Sequence, residues 1–334
     1  MPTDEEAVTR SPESSPTTVG GKRPAGIFWR GFCVGAADVV PGVSGGTIAF
    51  ILGIYEELID SLRTFGRPKF FRALLRMRVR ELLRVVNWKF LFPLGCGVLA
   101  AIFTLAKGLQ WLLVHHPQFL WSFFFGLVLA SVLAVKSRVR QWTPPRWVLL
   151  VVGAVFSYGV VGLVPMRTTD AAWFFILSGA VASCALILPG VSGAFMLVLL
   201  GKYQAVLTAV NDRDFVVVGL VGVGAVVGLV TCSQILGWLF RKFHDPVVAL
   251  LIGLILGSLR KVWPWKQDTA WLANADGNQV LKHGQPIVTE QSNILPPFSS
   301  GEEMLHVGLA IGLAAAGFAL VLLVERLGKQ DAPG

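Results

Sequence analysis

The hexapeptide PGVSGG at residues 41–46 recurs as PGVSGA at residues 189–194, and each copy interrupts a strongly apolar stretch. A second shared signal follows each copy, LGIY at residues 52–55 and LGKY at residues 200–203. Proline and glycine break helices, and irregular backbone is tolerated at membrane depth only where protein or water satisfies its amides and carbonyls. A pair of such breaks in corresponding halves of a chain indicates a transport site.

The composition excludes a soluble protein. Of the 334 residues, 54% are hydrophobic and only 15% are charged, and the mean hydropathy is +0.65. These values are typical of an integral membrane protein. The cysteines lie inside apolar segments without the spacing of a metal site, so we expect free thiols and no metal or cofactor. They are Cys33, Cys96, Cys184 and Cys232.

Six apolar segments outside the breaks are long enough to cross a membrane as helices. A hydrocarbon core of about 30 Å needs about 20 residues, and rarely fewer than about 17. Residues 1–25 are polar and without apolar periodicity, which predicts a disordered cytoplasmic tail with no cleavable signal peptide. The predicted spans are residues 90–114, 119–135, 147–164, 215–240, 246–262 and 304–324.

The two interrupted segments are predicted to be re-entrant hairpins. Residues 28–60 are too many for one crossing and too few for two. Basic residues precede this segment at Lys22 and Arg23 and follow it at Arg63 and Arg67, which places both of its ends on the cytoplasmic side. Carrying the topology forward makes residues 171–210 a hairpin entered from outside, although this segment could almost make two complete crossings.

The topology puts both termini in the cytoplasm, with most of the 29 Lys and Arg on that side. The loop 263–303 falls outside, with a short β element expected near residues 279–290. Residues 26–165 and 171–325 form the two repeats. Each holds one hairpin and three spans, and an odd number of crossings makes the repeats inverted. The predicted fold is an all-α polytopic membrane protein with two inverted repeats. The later spans match at Gly95, Gly97, Trp111 and Gly126 against Gly222, Gly224, Trp238 and Gly253.

A basic segment is inserted in the first repeat at residues 68–89. Arg72, Arg76, Arg80 and Arg84 recur every four residues among leucines, which predicts a basic amphipathic helix on the cytoplasmic surface. We expect it to bind anionic membrane lipids. The alternative is that it gathers or releases an anionic lipid substrate.

The chemistry of the two tips favours an anion. Proline starts a new helix, and glycines allow close backbone approach, so the half-helix after each tip directs free N–H groups toward the membrane centre. Such a site suits a phosphate or a carboxylate. The alternative is that the glycines only permit tight packing. The candidate binding residues are Pro41, Gly42, Ser44, Gly45, Gly46 and Thr47 in the first copy and Pro189, Gly190, Ser192 and Gly193 in the second.

Asp38 lies three residues before the first tip, and its counterpart in the second half is Leu186. An ionisable group at membrane depth is costly unless it is functional. A charged carboxylate beside an anion site would repel the ligand, which suggests a carrier of a proton or of another cation such as sodium. The alternative is a cap that binds local backbone amides.

Three basic residues are candidate partners of a phosphate. Lys202 takes the place that Ile54 has in the first copy, and Lys107 lies within a predicted span. Lys107 could equally extend to the membrane surface. Arg30 either faces the first hairpin or marks the membrane boundary.

The string GAADVVPGVSGGTIAFILGIYEELI, with the later LILPGVSGAFMLVLLGKY, resembles the bacterial membrane protein family DUF368, which is associated with undecaprenyl phosphate translocation. The resemblance covers about residues 26–325. It implies a flippase that returns this polyprenyl phosphate from the outer to the inner leaflet of the cytoplasmic membrane, where it serves as lipid carrier for envelope polymers such as peptidoglycan. It also implies a role for the tip motif residues and for Asp38. Ala194 departs from the glycine of the first copy.

Two other functions stay open from the residues. A polyprenyl-pyrophosphate phosphatase would need carboxylates with Arg or His at the site, but no histidine accompanies either tip. A transporter or channel for a small anion would have the same tips. We therefore expect a transporter and not an enzyme, with no nucleic-acid partner. The prenyl chain length and the oligomeric state stay open.

Overall fold

The computed structural model describes residues 24–39, 44–163, 166, 168–271, 281–282, 285–286 and 288–330. Most of them are helical. The predicted tail falls almost entirely on residues 1–23, which lie outside the described residues. The helices are α1 (Pro24–Asp38), α2 (Gly45–Ile51), α3 (Tyr55–Arg63), α4 (Pro68–Leu75), α5 (Val79–Val85), α6 (Trp88–His115), α7 (Pro117–Lys136), α8 (Pro144–Val161), α9 (Ala172–Ile187), α10 (Gly193–Leu199), α11 (Tyr203–Asn211), α12 (Phe215–Ser258) and α13 (Gly301–Gln330).

Among the described residues, five helices are long and apolar enough to cross a membrane, namely α6, α7, α8, α12 and α13. Helix α12 has 44 residues, which at about 1.5 Å per residue is roughly twice the length that one crossing needs. Its backbone leaves helical geometry at Phe243, three residues before Pro246. The two arms, α12a (residues 215–242) and α12b (residues 244–258), overlap the segments predicted over 215–240 and 246–262, and α12b ends at Ser258, before the predicted end.

Two pairs of helices pack through glycines at matching positions of the two halves. Gly31 of α1 lies against the backbone of Leu94 in α6. Gly179 of α9 lies in the same way against Val221 in α12a. A Cβ at either glycine would overlap the facing carbonyl, so only glycine permits this approach. The sequence offsets that align the halves also align the glycine and its partner in each pair.

A second set of glycine contacts joins the later spans across the two halves. Gly126 of α7 packs against Ala314 of α13, and Gly253 of α12b packs against Leu150 of α8. These approaches place α7 beside α13 and α12b beside α8. The spans are thus interleaved, since a helix from each half pairs with a helix from the other.

The ends of the bundle are distinguished by their contacts. At one end, Arg146 at the start of α8 forms an ion pair with Asp245 at 3.2 Å. We call this the kink end (residues 138–146 and 241–246). At the other, the Phe119 ring at the start of α7 lies 5.8 Å from the His306 ring of α13. We call this the loop end; its described residues are 115–119, 162–163, 166, 168–170, 199–203, 259–271, 281–282, 285–286 and 288–306.

The basic segment forms two helices rather than one. Where a single helix was predicted over residues 68–89, α4 and α5 are separated at Met77, which has a φ of +50°. Leu75 is 83% exposed and Met77 85% exposed. Apolar and basic side chains therefore share an unpacked surface at this turn.

The loop 263–303 adds strands to the otherwise helical fold. Strand β1 (Lys266–Trp271) pairs antiparallel with β4 (Val288–Asn293), and β2 (Leu281–Lys282) pairs with β3 (Gln285–Pro286). Strands β2 and β3 lie within residues 279–290, where a β element was predicted, and β4 begins there. The partner of β4 is β1, the strand that follows α12, which the prediction did not include. These two strand pairs are the departure from an all-α fold among the described residues.

Candidate functional site

The two interrupted segments have the same local design. In the first, α2 ends at Ile51, Leu52 caps it, and Gly53 turns the chain into α3 with a φ of +69°. In the second, α10 ends at Leu199, Leu200 caps it, and Gly201 turns the chain into α11 with a φ of +65°. Positive φ favours glycine, so the repeated LG dipeptide encodes this turn in both halves. Helices α10 and α11 meet at a bend of 108°.

The two tips contact each other. The backbone N–H of Gly190 in the second tip donates to Oγ1 of Thr47 in the first, at 2.9 Å. Thr47 is 1% exposed, and Gly190 is buried with a φ of +85°. A Cβ at Gly190 would lie 2.6 Å from the Leu254 carbonyl oxygen. Glycine is therefore needed at this position for its conformation and for its close contact with α12b.

Side chains of the first interrupted segment also bind the carbonyl end of α9. Tyr55 Oη donates to the Ile187 carbonyl at 3.1 Å, and Ser44 Oγ donates to the Leu188 carbonyl at 3.4 Å. A Cβ at Gly46 would lie 2.8 Å from the Ile187 oxygen. The last carbonyls of a helix lack partners within that helix, and the first tip supplies them here.

Asp38 lies at the end of α1, and its carboxylate binds the helix that follows. Its Oδ1 accepts from the Gly45 N–H at 2.7 Å, and the side chain remains exposed. This is the cap geometry that the sequence left open as an alternative. A capping carboxylate occupies one of the amides that a bound anion would otherwise use.

The second tip keeps a hydroxyl available. Ser192 precedes α10 and makes no capping bond with its own side chain, and it is half-buried. Pro189 is buried, and Gly193 is packed against the Ala182 carbonyl of α9. Pro41 and Gly42 lie outside the described residues.

The three basic candidates are not gathered at the tips. Lys202 is 1% exposed, and its Nζ lies 2.5 Å from Asp170 Oδ1 and 3.4 Å from the Thr168 carbonyl. It therefore holds the turn after α10 to the segment that follows α8. Lys107 is exposed on α6, and Arg30 is half-buried in the first turns of α1. Neither forms an ion pair with a residue that the structure describes.

Sequence reasoning missed the role of Tyr55. Its side chain is 1% exposed and links the turn after α2 to the end of α9. The repeated LGIY and LGKY signals marked this position, but tyrosine there was not assigned a contact. A second network at the kink end was also missed, in which His244 lies 3.2 Å from Glu56 and 3.1 Å from Asp245. Glu56 is distant in sequence from the adjacent His244 and Asp245, and no local pattern joins it to them.

Comparison with known proteins places this arrangement in a family. Residues 34–280, which include both tips, match the sequence profile of the undecaprenyl phosphate translocase-like family. The chain belongs to this family. A relative in Vibrio cholerae named polyprenyl-phosphate transporter is 41% identical over 307 residues, which cover 91% of this chain and 96% of the relative. One of the same name in Staphylococcus aureus is 28% identical over 253 residues, covering 70% and 84%.

No solved structure gives a significant match. The membership of this translocase-like family, together with several membrane-spanning helices, makes the protein a multi-pass membrane transporter. Both copies of the motif lie in the region shared by the family, so the contact between the tips falls inside the matched segment.

Proposed function

We propose that this protein moves polyprenyl phosphate of the undecaprenyl type from the outer to the inner leaflet of the bacterial cytoplasmic membrane. Family membership and the names of two relatives support the lipid class. The observation that carries the mechanism is the contact between the tips through Thr47 and Gly190. Two broken helices that meet inside a membrane protein are the usual position of a transport site.

The proposal includes two inverted halves. Helix α2 ends at the kink end, where Arg138 donates to the Ile51 carbonyl at 3.2 Å. Helix α10 ends at the loop end, where the Met166 N–H donates to the Leu199 carbonyl at 2.9 Å. Helices α2 and α10, which follow the two tips, thus run to opposite ends of the bundle. This is expected of re-entrant hairpins that enter from opposite leaflets. We place the kink end and both termini in the cytoplasm, in keeping with the positive-inside rule.

The phosphate head binds between the tips, and the prenyl tail stays in lipid. In the first tip we assign this role to residues 41–47, and in the second to Pro189, Gly190, Ser192 and Gly193. Ser192 is the best placed to donate a hydrogen bond, because its hydroxyl does not cap its own helix. Binding requires the tips to separate, since Thr47 occupies the Gly190 amide in the state described here. Arg30, Lys107 and Lys202 then act as secondary cations along the path.

Inward transport of the anion needs coupling. A phosphate monoester carries roughly −1.5 to −2 charges near neutral pH. Moving it against an inside-negative potential costs about 2.3 kcal/mol per charge per 100 mV. Co-transport of a proton or sodium offsets this cost, and Asp38 is the carrier that we propose. Its carboxylate lies next to the first tip, so a change in its charge would be felt at the phosphate.

The function is tested in proteoliposomes with a labelled short-chain polyprenyl phosphate in one leaflet. We expect the protein to make the lipid inaccessible to an added phosphatase, whereas empty vesicles do not. Replacing Ser192 with Ala removes one charge-assisted hydrogen bond, worth about 1.5–3 kcal/mol, and should slow transport by tenfold or more. The control is Ser122→Ala in α7, because Ser122 donates only to Gln118 of its own helix, at 2.8 Å.

The same vesicles separate the alternatives. Uptake of inorganic phosphate in place of lipid movement would replace the proposal with a small-anion transporter. Release of phosphate from polyprenyl pyrophosphate would replace it with a phosphatase. Equal transport by the Ser192 and Ser122 variants would remove Ser192 from the site.

A further inference from the structure

Two lysines at the loop end bracket the turn that joins α12b to β1. Lys266 Nζ donates to the Lys261 carbonyl at 2.5 Å and lies 4.1 Å from the centre of the Trp121 ring. Lys261 Nζ lies 4.9 Å from the centre of the Phe195 ring. We call Lys261 and Lys266 the lysine pair. Each ammonium is thus held over an aromatic face within the range of a cation–π contact, about 6 Å.

Neither lysine of the pair forms an ion pair with a carboxylate in the described part of the chain, whereas Lys202 is bound to Asp170. The Asp268 carboxylate partly offsets the effect of Lys261 on the pKa of Lys266, and its Oδ1 already accepts from Gln291 Nε2 at 2.7 Å. The loop end therefore holds two lysines whose mutual repulsion Asp268 compensates only in part.

Burial and charge both act on this pair. Burial lowers the pKa of Lys261. Burial, with the neighbouring Lys261 charge, lowers the pKa of Lys266 to about 7, while Asp268 acts in the opposite direction. Further titratable groups lie in an adjoining cavity of about 380 Å³ on the side of Trp265, namely Glu302, Glu303 and His306. An arriving anion would favour the protonated form of Lys266.

The lysine pair is next to the second tip. Phe195, which contacts Lys261, lies on α10 one turn after Ser192. A ligand held by the lysine pair would therefore lie beside the helix that starts at the second tip. Two lysines match the charge of a phosphate monoester, roughly −1.5 to −2, and lysine binds phosphate as a compact point charge.

We propose that Lys261 and Lys266 form a docking site for a phosphate monoester head at the loop end, from which the lipid passes to the second tip. This inference rests on the proposed function, because it assigns the step before binding between the tips. A purely structural role is the competing explanation, since lysine and tryptophan commonly anchor a protein at the membrane surface.

Equilibrium binding to the purified full-length protein tests the proposal. The probes are a short-chain polyprenyl phosphate, the corresponding prenyl alcohol and inorganic phosphate. We expect Lys261→Gln and Lys266→Gln each to weaken binding of the lipid phosphate by about tenfold or more, with no change for the alcohol. If the lysine pair binds inorganic phosphate but not the lipid phosphate, the site is one for free phosphate and docking of the lipid is refuted.

The matched control is Lys242→Gln at the kink end. Lys242 also lies over aromatic rings, 5.5 Å from Trp238 and 5.3 Å from Phe243, so a loss due only to cation–π packing would appear in both variants. We expect the Lys242 variant to bind like the wild type. Equal affinity in the wild type and both variants of the lysine pair would refute the docking site, as would an equal loss for phosphate and alcohol.

The pH dependence provides a readout that an anchor would not give. Because the pKa of Lys266 is lowered to about 7, the wild type loses a positive charge, and with it affinity, as the pH rises from about 7 to about 9. The ligand is already a dianion in this range, since its second pKa is about 6. Lys266→Arg keeps its charge and should keep its affinity. If the affinities of the wild type and of Lys266→Arg change with pH in the same way, the inference is contradicted.

The docking site and the proposed function can fail separately. If the wild type and the lysine variants move the lipid at equal rates at lipid concentrations below saturation of the protein, docking is refuted and the function stands. If the wild type binds the lipid through the lysine pair but does not move it, the function is refuted and the site stands. Thermal unfolding of each variant identifies any that fail to fold, and Lys266→Arg remains informative in that case.

Discussion

Replacing Thr47 with Val tests the contact between the tips. The substitution preserves the size and branching of the side chain but removes Oγ1, which accepts from the Gly190 N–H at 2.9 Å. Both groups are buried, so the N–H would have no acceptor. An unsatisfied buried donor costs about 1–3 kcal/mol, which corresponds to roughly 5- to 150-fold in the equilibrium between closed and separated tips.

Reversible unfolding in mixed micelles measures this change. We expect the free energy of unfolding of Thr47→Val to fall by about 1–3 kcal/mol, and Thr47→Ser to restore most of it because serine retains the acceptor. The control is Thr104→Val, since Thr104 is exposed on α6 and its hydroxyl donates to carbonyls of its own helix, Ala100 at 2.6 Å and Ala101 at 3.5 Å. Its effect should stay within about 0.5 kcal/mol.

The outcome that would refute this reasoning is a Thr47→Val protein as stable as the wild type. Equal losses in Thr47→Val and Thr104→Val would also refute it, because the second variant leaves the tips intact. A stable variant with unchanged transport would mean that the tips are held together by their surrounding helices and not by this hydrogen bond.

Two further predictions concern α1, the helix before the first break. Asp38→Asn keeps an acceptor for the Gly45 N–H but removes the charge of the side chain. We therefore expect little change in the free energy of unfolding, but slower initial transport that no longer depends on pH. Transport rates equal to those of the wild type at acidic and alkaline pH would show that Asp38 is not the carrier. Gly31→Ala should destabilise the protein by about 1–3 kcal/mol through overpacking against Leu94. Gly95→Ala meets no atom within 4 Å and should be neutral or stabilising by up to about 1 kcal/mol in the same unfolding measurement, so equal losses in the two glycine variants would contradict the packing argument.

The membrane class and the helices could be read from the sequence. The prediction of spans at 215–240 and 246–262 agrees with the two arms of α12, because apolar length and a proline are local properties. The repeated motif also predicted breaks at corresponding places, which the structure has between α1 and α2 and between α9 and α10. The prediction of one helix in the basic segment was wrong. The spacing of its arginines favours a single helix, whereas the backbone turns at Met77.

The partners of the site residues could not be read in this way. Asp38 was expected near an anion, and its described partner is the Gly45 amide. Lys202 was expected near the phosphate, and it pairs with Asp170 at the loop end. The lysine pair at Lys261 and Lys266 was not noticed, because its aromatic contacts come from α7 and α10. Each of these outcomes depends on which neighbours the fold supplies.

Hydropathy and helix-breaking residues in the sequence were sufficient to predict a membrane protein with two interrupted helices. These properties depend on a few neighbouring residues, so they can be predicted without a fold. The contact between the two breaks, through Thr47 and Gly190, and the binding of Tyr55 to the end of α9 follow only from the folded structure. Those pairs are more than a hundred residues apart in the chain, and buried polar groups bind whichever partner packing brings within hydrogen-bond distance.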